Sequence, residues 1–507
     1  MKANFKLSLC LWAMVILVGD PFVDFASGGT HSAFLRVNSG IHATLVTDCT
    51  LYAAANGNDS NDGTKHVDGT IHPKTLTGAA AATVPGSVVC LLGGRYELSC
   101  TFNVPNSGTS SAWITYKSYG DGDALIVWMG GFTCGDYPMI KIDSTGATGR
   151  PTNYLQFIGL TLDGLGTALD GFSCRSNHDL HFYNNTISNT GGAGIQTVDC
   201  NYVISDHNII HHNGYVLPGS PGGYSWTSGI SYNNNTCNDT YTGFHFVAAN
   251  NIIVGEVDQS QMIQPPPRLT PTDGNGVTVD IDQACATPPS ALVVNNVVYG
   301  NGGRCFIANS AASVWVVNNT CYRNDLDTLQ PDIGSLTTSN SNNVFFVNNI
   351  SVSWQTTNPP FDKRNTNTNI TYAQNLYWGG PCYADPSPGT DFCSGNSNFI
   401  PKDPQFVGPL PYFDGAAAGQ FKTSRPPSVL TPVNNASSGC TGSVPACDIA
   451  GPFAVVSTSP AYNQGIDPAT LTADQNIKWD LATWVYKDIS GKTRTAGVNW
   501  DLGALAH

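Results

Sequence analysis

The sequence predicts an all-β solenoid, a parallel β-helix closed by an N-terminal cap. Two observations carry this. The first is a repeat of short β-rich runs, each ending in Asn and followed by another apolar pair: "HFYNNTIS", "SDHNIIHH", "AANNIIVG", "VVNNVVYG", "VVNNTCYR", "FVNNISVS" and "AQNLYWGG". The last Asn before each pair is Asn185, Asn208, Asn251, Asn296, Asn319, Asn349 and Asn375, with steps of 23, 43, 45, 23, 30 and 26. The two long steps hold extra strand-like runs, "SGISYNN" and the opening of "GVTVDID". The second observation is physical. A unit of this length cannot bury an apolar face alone, so stacked coils must share one core. The repeated Asn suits a sharp turn, where it tolerates the left-handed conformation, and its amide can bond the Asn of the next coil.

Taken in order, the chain divides at 28, 100 and 400. Residues 1–28 read as a signal peptide. Lys2 and Lys6 precede an apolar run, Leu7 to Gly19, and "FASGG" offers small residues for cleavage after Gly28. That run is shorter than the roughly 20 residues of a membrane span. Residues 29–100 form the N-terminal segment and cap: "TGAAAA" (Thr77 to Ala82) predicts a short capping helix, and "SVVCLL" and "GGRYEL" predict strand, turn, strand. Residues 101–400 are the coils. Residues 401–507, rich in Pro and Gly to Pro460, predict an irregular segment with a closing strand. The sequons at Asn184, Asn234, Asn318 and Asn349 fall where the turn asparagines and strand-forming Thr or Ser already explain them.

The chain carries a net charge of −14, with only 11% Asp, Glu, Lys and Arg, against roughly 25% in ordinary globular proteins. Removing residues 1–28 takes two lysines and two aspartates and leaves −14. Such a chain is a poor nucleic-acid binder. An acidic polysaccharide would need a local basic pocket or a bridging cation. Without Cys10, 14 cysteines remain, an even number that suits disulfides in an exported chain. Cys90/Cys100, Cys382/Cys393 and Cys440/Cys447 are close pairs, and buried thiols are the alternative. The expectation is a secreted or periplasmic monomer with no nucleic-acid or membrane partner.

"YAAANGNDSNDGT…GGRYEL" is similar to the opening of exported right-handed parallel β-helix proteins of the pectate-lyase-like superfamily, and "SPAYNQG…DISGKTR…DLGA" resembles their common ending. The resemblance implies the right hand of the coils and a role on polysaccharides. That superfamily holds lyases, hydrolases, epimerases and adhesins. The reaction read for this chain is β-elimination from a uronic-acid-containing polysaccharide. A glycoside hydrolase using paired Asp, a C5-epimerase and a non-catalytic glycan-binding surface protein stay open.

Candidate chemistry comes from three patterns. "PTDGNGVTVDID" (Pro271 to Asp282) puts three aspartates into a charge-poor chain. If the run is a strand, Val277, Val279 and Ile281 face the core and Thr278, Asp280 and Asp282 face out. Asp273, Asp280 and Asp282 are candidate Ca²⁺ ligands, and Asp280 is also a candidate acid or base; a solvated strand face is the plain alternative. Six of eleven histidines lie between His178 and His245; His211 or His212 is the candidate base, and adjacent strand positions point these two to opposite faces. Arg304, one coil after the aspartates, is the candidate that neutralises a substrate carboxylate. Tyr224, Trp226 and Arg268, on long loops, and Arg175 are candidate substrate contacts. Many superfamily lyases use a lysine or arginine base. Here lysine is absent from 142 to 362, leaving Lys117, Lys141 and Lys363 as the nearest. No G-x-x-x-x-G-K-[ST], H-E-x-x-H or G-x-S-x-G occurs, so nucleotide, zincin and α/β-hydrolase readings lack support.

Overall fold

The computed structural model describes residues 48–130, 138–143, 152–214, 227–234, 239–258, 271–282, 290–327, 330, 333–384, 391–408, 410 and 450–507. Among these residues the chain winds through three parallel sheets of 11, 10 and 11 strands. Each turn runs from a first sheet (Leu51–Ala53 to Thr368–Ala373) into a second (Gly94–Leu98 to Phe399–Pro401). It then enters a third (Phe102–Asn103 to Tyr383–Ala384) and returns to the first one coil higher. This is a right-handed parallel β-helix. Coils stack at the strand spacing of about 4.8 Å.

The turn between the first and second sheets is built as the repeat requires. Asn185 donates from Nδ2 to Asn208 Oδ1 at 3.0 Å, and the relay continues through Asn251, Asn296, Asn319 and Asn349 to Asn375 at 2.9–3.1 Å. All seven ladder residues named from sequence are therefore joined. The conformational detail differs. The left-handed residue is the one before each ladder Asn: Asn184, His207, Asn250, Asn295, Asn318, Asn348 and Gln374, with φ between 49° and 57°. The ladder Asn itself is spent on hydrogen bonds, so its predecessor turns the chain.

Inside, equivalent aromatics stack along the axis, as in Tyr116–Phe157 (centroids 5.3 Å) and Phe157–Phe182 (5.7 Å). At the N-terminal end the cap helix Leu76–Ala81 starts at Thr75, whose Oγ1 accepts from Gly78 N. Leu76, Ala79 and Ala80 close the core there. The strands of the 29–100 segment already belong to the first two sheets, so coiling begins before residue 101.

At the other end the described residues 450–507 add no strand to the three sheets. Residues 450–507 carry two 3-10 turns and a helix, Gln475–Trp484, capped by Asp474. Ile477, Leu481 and Trp484 lie one helical face apart and pack on the first sheet against Phe244, Val247 and Leu292. Phe453, Leu502 and Leu505 pack on the second sheet against Tyr299 and Tyr322. Asn295 Nδ2 donates to Trp484 O at 3.1 Å and Ala504 N to Thr320 Oγ1 at 2.9 Å. These contacts of residues 450–507 cover outer faces of the first and second sheets, and the charged residues considered below gather on the third.

The described disulfides are Cys49–Cys90, Cys174–Cys200, Cys305–Cys321 and Cys382–Cys393. Cys90 thus pairs across the first coil with Cys49 rather than with Cys100, which is itself disulfide-bonded. Cys440 and Cys447 lie outside the described residues. Bonded cysteines in this number suit an oxidising compartment. No described helix is long and apolar enough to cross a membrane.

Candidate functional site

The strand Asn275–Asp280 sits in the third sheet with Val277 and Val279 fully buried in the core. Thr278 and Asp280 point outward. Register places Asp280 between Asn233 and Asn309. Asp280 Oδ1 accepts from Asn309 Nδ2 at 2.8 Å and Oδ2 from Asn233 Nδ2 at 3.4 Å. Burial, opposed by Asn309 and helped by the charge of Asp273, pushes its carboxyl up to about 6.

The predicted alternation ends there. Ile281 has φ of 56° and is 48% exposed rather than buried. A β-branched residue in this region is an outlier, and it resets the side-chain direction. Asp282 consequently turns into the corner before the first sheet. Its Oδ1 accepts from Ala312 N at 2.7 Å, while buried Oδ2 has no hydrogen-bond partner. Burial raises this carboxyl to about 7, with Asp280 adding to the rise.

A raised folded pKa means the native state holds the proton more tightly than the unfolded chain. The group favours folding fully only below its unfolded value near 3.8, and that advantage is lost as pH rises through about 7. Asp282→Asn is therefore expected to stabilise the protein by about 2–4 kcal/mol at pH 8 and far less at pH 4. Denaturant unfolding of both proteins at both pH values measures this; an equal effect at the two would show that the charge is not the cause.

A second group of charges collects where the second sheet passes into the third. Asp258 is buried; its Oδ2 accepts from Thr272 N at 2.8 Å and Asp273 N at 3.1 Å. Burial and then the charge of Asp273 push it up to about 7. Asp273 Oδ2 accepts from Thr272 Oγ1 at 2.8 Å and Oδ1 from Asn275 Nδ2 at 3.2 Å.

One coil on, Arg304 N donates to Asn275 Oδ1 at 2.9 Å and Nη1 to Thr272 O at 3.2 Å. Its Nε has no partner, and the residue is 7% exposed. Burial lowers the guanidinium, opposed by the charges of Asp325, Asp362 and Asp273. Asp325 is buried with neither carboxylate oxygen hydrogen-bonded, and burial raises it well above the usual range despite Arg304. Asp362 Oδ2 accepts from Arg364 Nε at 2.5 Å.

Asp325 is placed by a second ladder. Thr190, Asn213, Glu256, Asn301 and Asn324 link along the corner, with Asn213 Nδ2 to Glu256 Oε1 at 3.0 Å and Asn301 Nδ2 to Asn324 Oδ1 at 2.9 Å. Each stands five residues after a residue of the first ladder. That constant offset was the sequence signal for this corner, and with it Asp258 and Asp325, two and one residues beyond a ladder position, could have been found. Asp362 and Arg364, in "FDKRN", carry no such signal.

The candidate residues thus divide. Asp273 and Arg304 come together, each electrostatically felt by the other. Asp280 ends the strand that follows Asp273, and Asp282 lies two residues beyond that end. His211 ends a strand of the second sheet, paired beside Ser188 and Val254, and its Nδ1 lies 2.6 Å from His212 Nδ1. The histidine-rich stretch is not one cluster in space. His178, His181 and His245 lie on first-sheet strands and His207 on the turn that follows, with His178 held by Asp179 and His207 by Asp206. Burial pushes His181 down to about 4, so it is uncharged at neutral pH.

Arg175 is exposed on the same outer row as Asp280, three coils earlier, a distance of about 14 Å along the axis. Lys141 reaches that face and pairs with Asp143 at 3.0 Å. Lys363 instead lies over the rings of Tyr372 and Phe392, and Lys117 sits in the first sheet. Tyr224, Trp226 and Arg268 lie outside the described residues.

Asp273, Asp280 and Asp282 do not gather into one cation site. Among the described residues they do not bring three ligand oxygens within 4.8 Å of one another. Each also accepts a hydrogen bond within the chain.

No family model matches the chain, and no curated protein does. Among solved structures it is similar to pectate lyase Pel9A, with 17% identity over 90% of this chain and 95% of that one, TM-score 0.47. It is also similar to a rhamnogalacturonan lyase (14% identity, 62% and 84% covered, TM-score 0.43). A third is the mannuronan C-5 epimerase A-module of Azotobacter vinelandii (15% identity, 64% and 92% covered, TM-score 0.37). The likeness is one of architecture.

Proposed function

We propose that this protein acts on a polysaccharide at its third-sheet face, and that the reaction is β-elimination from a uronic-acid residue. The observation that supports it best is Arg304, a largely buried guanidinium with an unused Nε, set among carboxyls in a chain poor in charge. A uronate carboxylate would pair with the part of this guanidinium that reaches the surface. Neutralising that carboxylate acidifies the adjacent C5 proton. A base takes this proton, the electron pair forms the C4–C5 double bond, the C4–O bond breaks, and the departing glycosidic oxygen takes a proton. Asp258, held near 7 beside Asp273, has the protonation range of a base at neutral pH. His211 and His212 face each other at the second sheet and are the less favoured base.

Hydrolysis is the second reading, favoured by the same Asp258–Asp273 pair, in which one carboxyl keeps its proton and can act as acid. The pH profile separates the two. With Asp258 as base, kcat/KM is expected to rise through about pH 7; with Asp258 as acid it is expected to fall there. Product analysis on uronate polymers, ultraviolet absorbance against reducing ends alone, tests the assignment. New reducing ends without the unsaturated chromophore would discard the lyase.

A further inference from the structure

Far from the third-sheet charges, the cap carries a hairpin that the function above does not use. Its arms are joined by His66 N to Thr70 O at 2.8 Å, His72 N to Thr64 O at 3.0 Å and the Lys65–Ile71 bridge. Gly69, with φ of 87°, allows the tight reversal. Below, Gly63 N donates to His72 O at 3.0 Å and Tyr52 N to Gly63 O at 2.8 Å, tying the hairpin to the first strand of the first sheet. Lys74 Nζ adds a bond to Asp59 O at 2.9 Å. The hairpin is thus a held element, not a loose loop.

It stacks the rings of His66 and His72, centroids 4.0 Å apart and planes 12° from parallel. Asp62 Oδ2 lies 2.8 Å from His66 Nε2, while its Oδ1 accepts from Thr64 N at 3.0 Å and so fixes the carboxylate. One ligand atom from each of Asp62, His66 and His72 lies within 4.8 Å of the others. The three side chains are partly or fully exposed, so water can complete a coordination shell.

We propose that Asp62, His66 and His72 form a site for a divalent transition metal, Zn²⁺ in the first instance, that clamps the cap hairpin. Two imidazole nitrogens and one carboxylate oxygen make a donor set suited to Zn²⁺ and its neighbours and unsuited to Ca²⁺, which takes oxygen. The ion replaces the proton shared between His66 Nε2 and Asp62 and draws in the His72 ring from the opposite arm. Asp68, whose charge acts on both imidazoles, adds attraction for the cation. Binding would cross-link the segment that closes the helix end.

The test is Zn²⁺ titration of the purified chain by calorimetry, with thermal unfolding in parallel. One ion per chain with a Kd of about 10 µM or tighter, a rise in unfolding temperature, and no such effect of Ca²⁺ are expected. His66→Ala and His72→Ala should each weaken binding at least about tenfold. Undiminished binding by the double variant would overturn the proposal. Should the variants fail to fold, anomalous diffraction at the zinc edge from wild-type crystals decides: density between Asp62, His66 and His72 supports the site, and its absence there refutes it.

Discussion

Replacing Arg304 with alanine is expected to lower kcat/KM on a uronate polymer about a hundred- to a thousandfold, the range seen when a donor to a developing charge is lost. The fall should appear mainly in kcat, because the guanidinium matters most as negative charge builds on the substrate carboxylate. Arg304→Lys should recover only part of the rate. An ammonium keeps the charge but not the fork that bonds Thr272 O through Nη1 while Nε stays free. The substitution also removes the cation beside Asp325 and Asp362. Burial already raises both carboxyls, so loss of Arg304 lets them hold protons more firmly rather than leaving bare charges. Fluorescence-monitored unfolding of the variant should therefore show a modest change. A collapse in stability would mean Arg304 is structural, and an unchanged rate would remove it from the reaction.

The second large effect is expected at Asn251. Its fully buried amide makes four hydrogen bonds: Nδ2 to Ser205 O and Asn296 Oδ1, both 2.9 Å, and Oδ1 from Asn208 N and Asn208 Nδ2 at 2.9 and 3.0 Å. Asn251→Ala removes all four bonds and leaves Asn208 N without its acceptor, although Asn208 Nδ2 keeps Phe182 O and Asn296 Oδ1 keeps Asn251 N, and it should cost about 3–5 kcal/mol. Asn251→Asp is the sharper probe. It preserves shape and both accepted bonds, yet turns an oxygen toward Ser205 O and Asn296 Oδ1. At neutral pH it should be at least as damaging as alanine, with partial recovery in acid, where the carboxyl regains a donor. Urea unfolding at two pH values measures both. A tolerated Asp would show that the relay is decoration on a core held by its aromatics.

The ladder was legible because it repeats: one residue type at one turn, coil after coil, declares both the period and the partner. The cap helix was legible for a different reason, a run of alanines behind a polar residue. The C-terminal helix was not read, although Ile477, Leu481 and Trp484 stand at helical spacing, because Gly and Pro earlier in that segment masked a short periodic stretch. Ile281 misled because strict alternation assumes an extended backbone, and a left-handed residue ends it. Of the candidate site, Arg304 and Asp273 were singled out from rarity of charge, and the charge of Asp273 acts on Arg304 in the structure. Asp258 and Asp325 escaped because the second ladder that places them went unread, and Asp362 stands on a strand with no repeating signal. The histidines misled in the opposite way: His178, His181 and His245 lie on the first sheet and His207 on the turn after it, while His211 lies on the second, so density along the chain did not make one site.

The most direct measurement is the ultraviolet absorbance of unsaturated uronate, followed while wild-type and Arg304→Ala proteins meet pectin, polygalacturonate, alginate and glycosaminoglycans, each with and without a chelator. A rise with at least one polymer, largely lost in the variant and retained in chelator, is the predicted result. A flat trace on every polymer, or a rise that Arg304→Ala leaves untouched, would contradict a lyase built around Arg304.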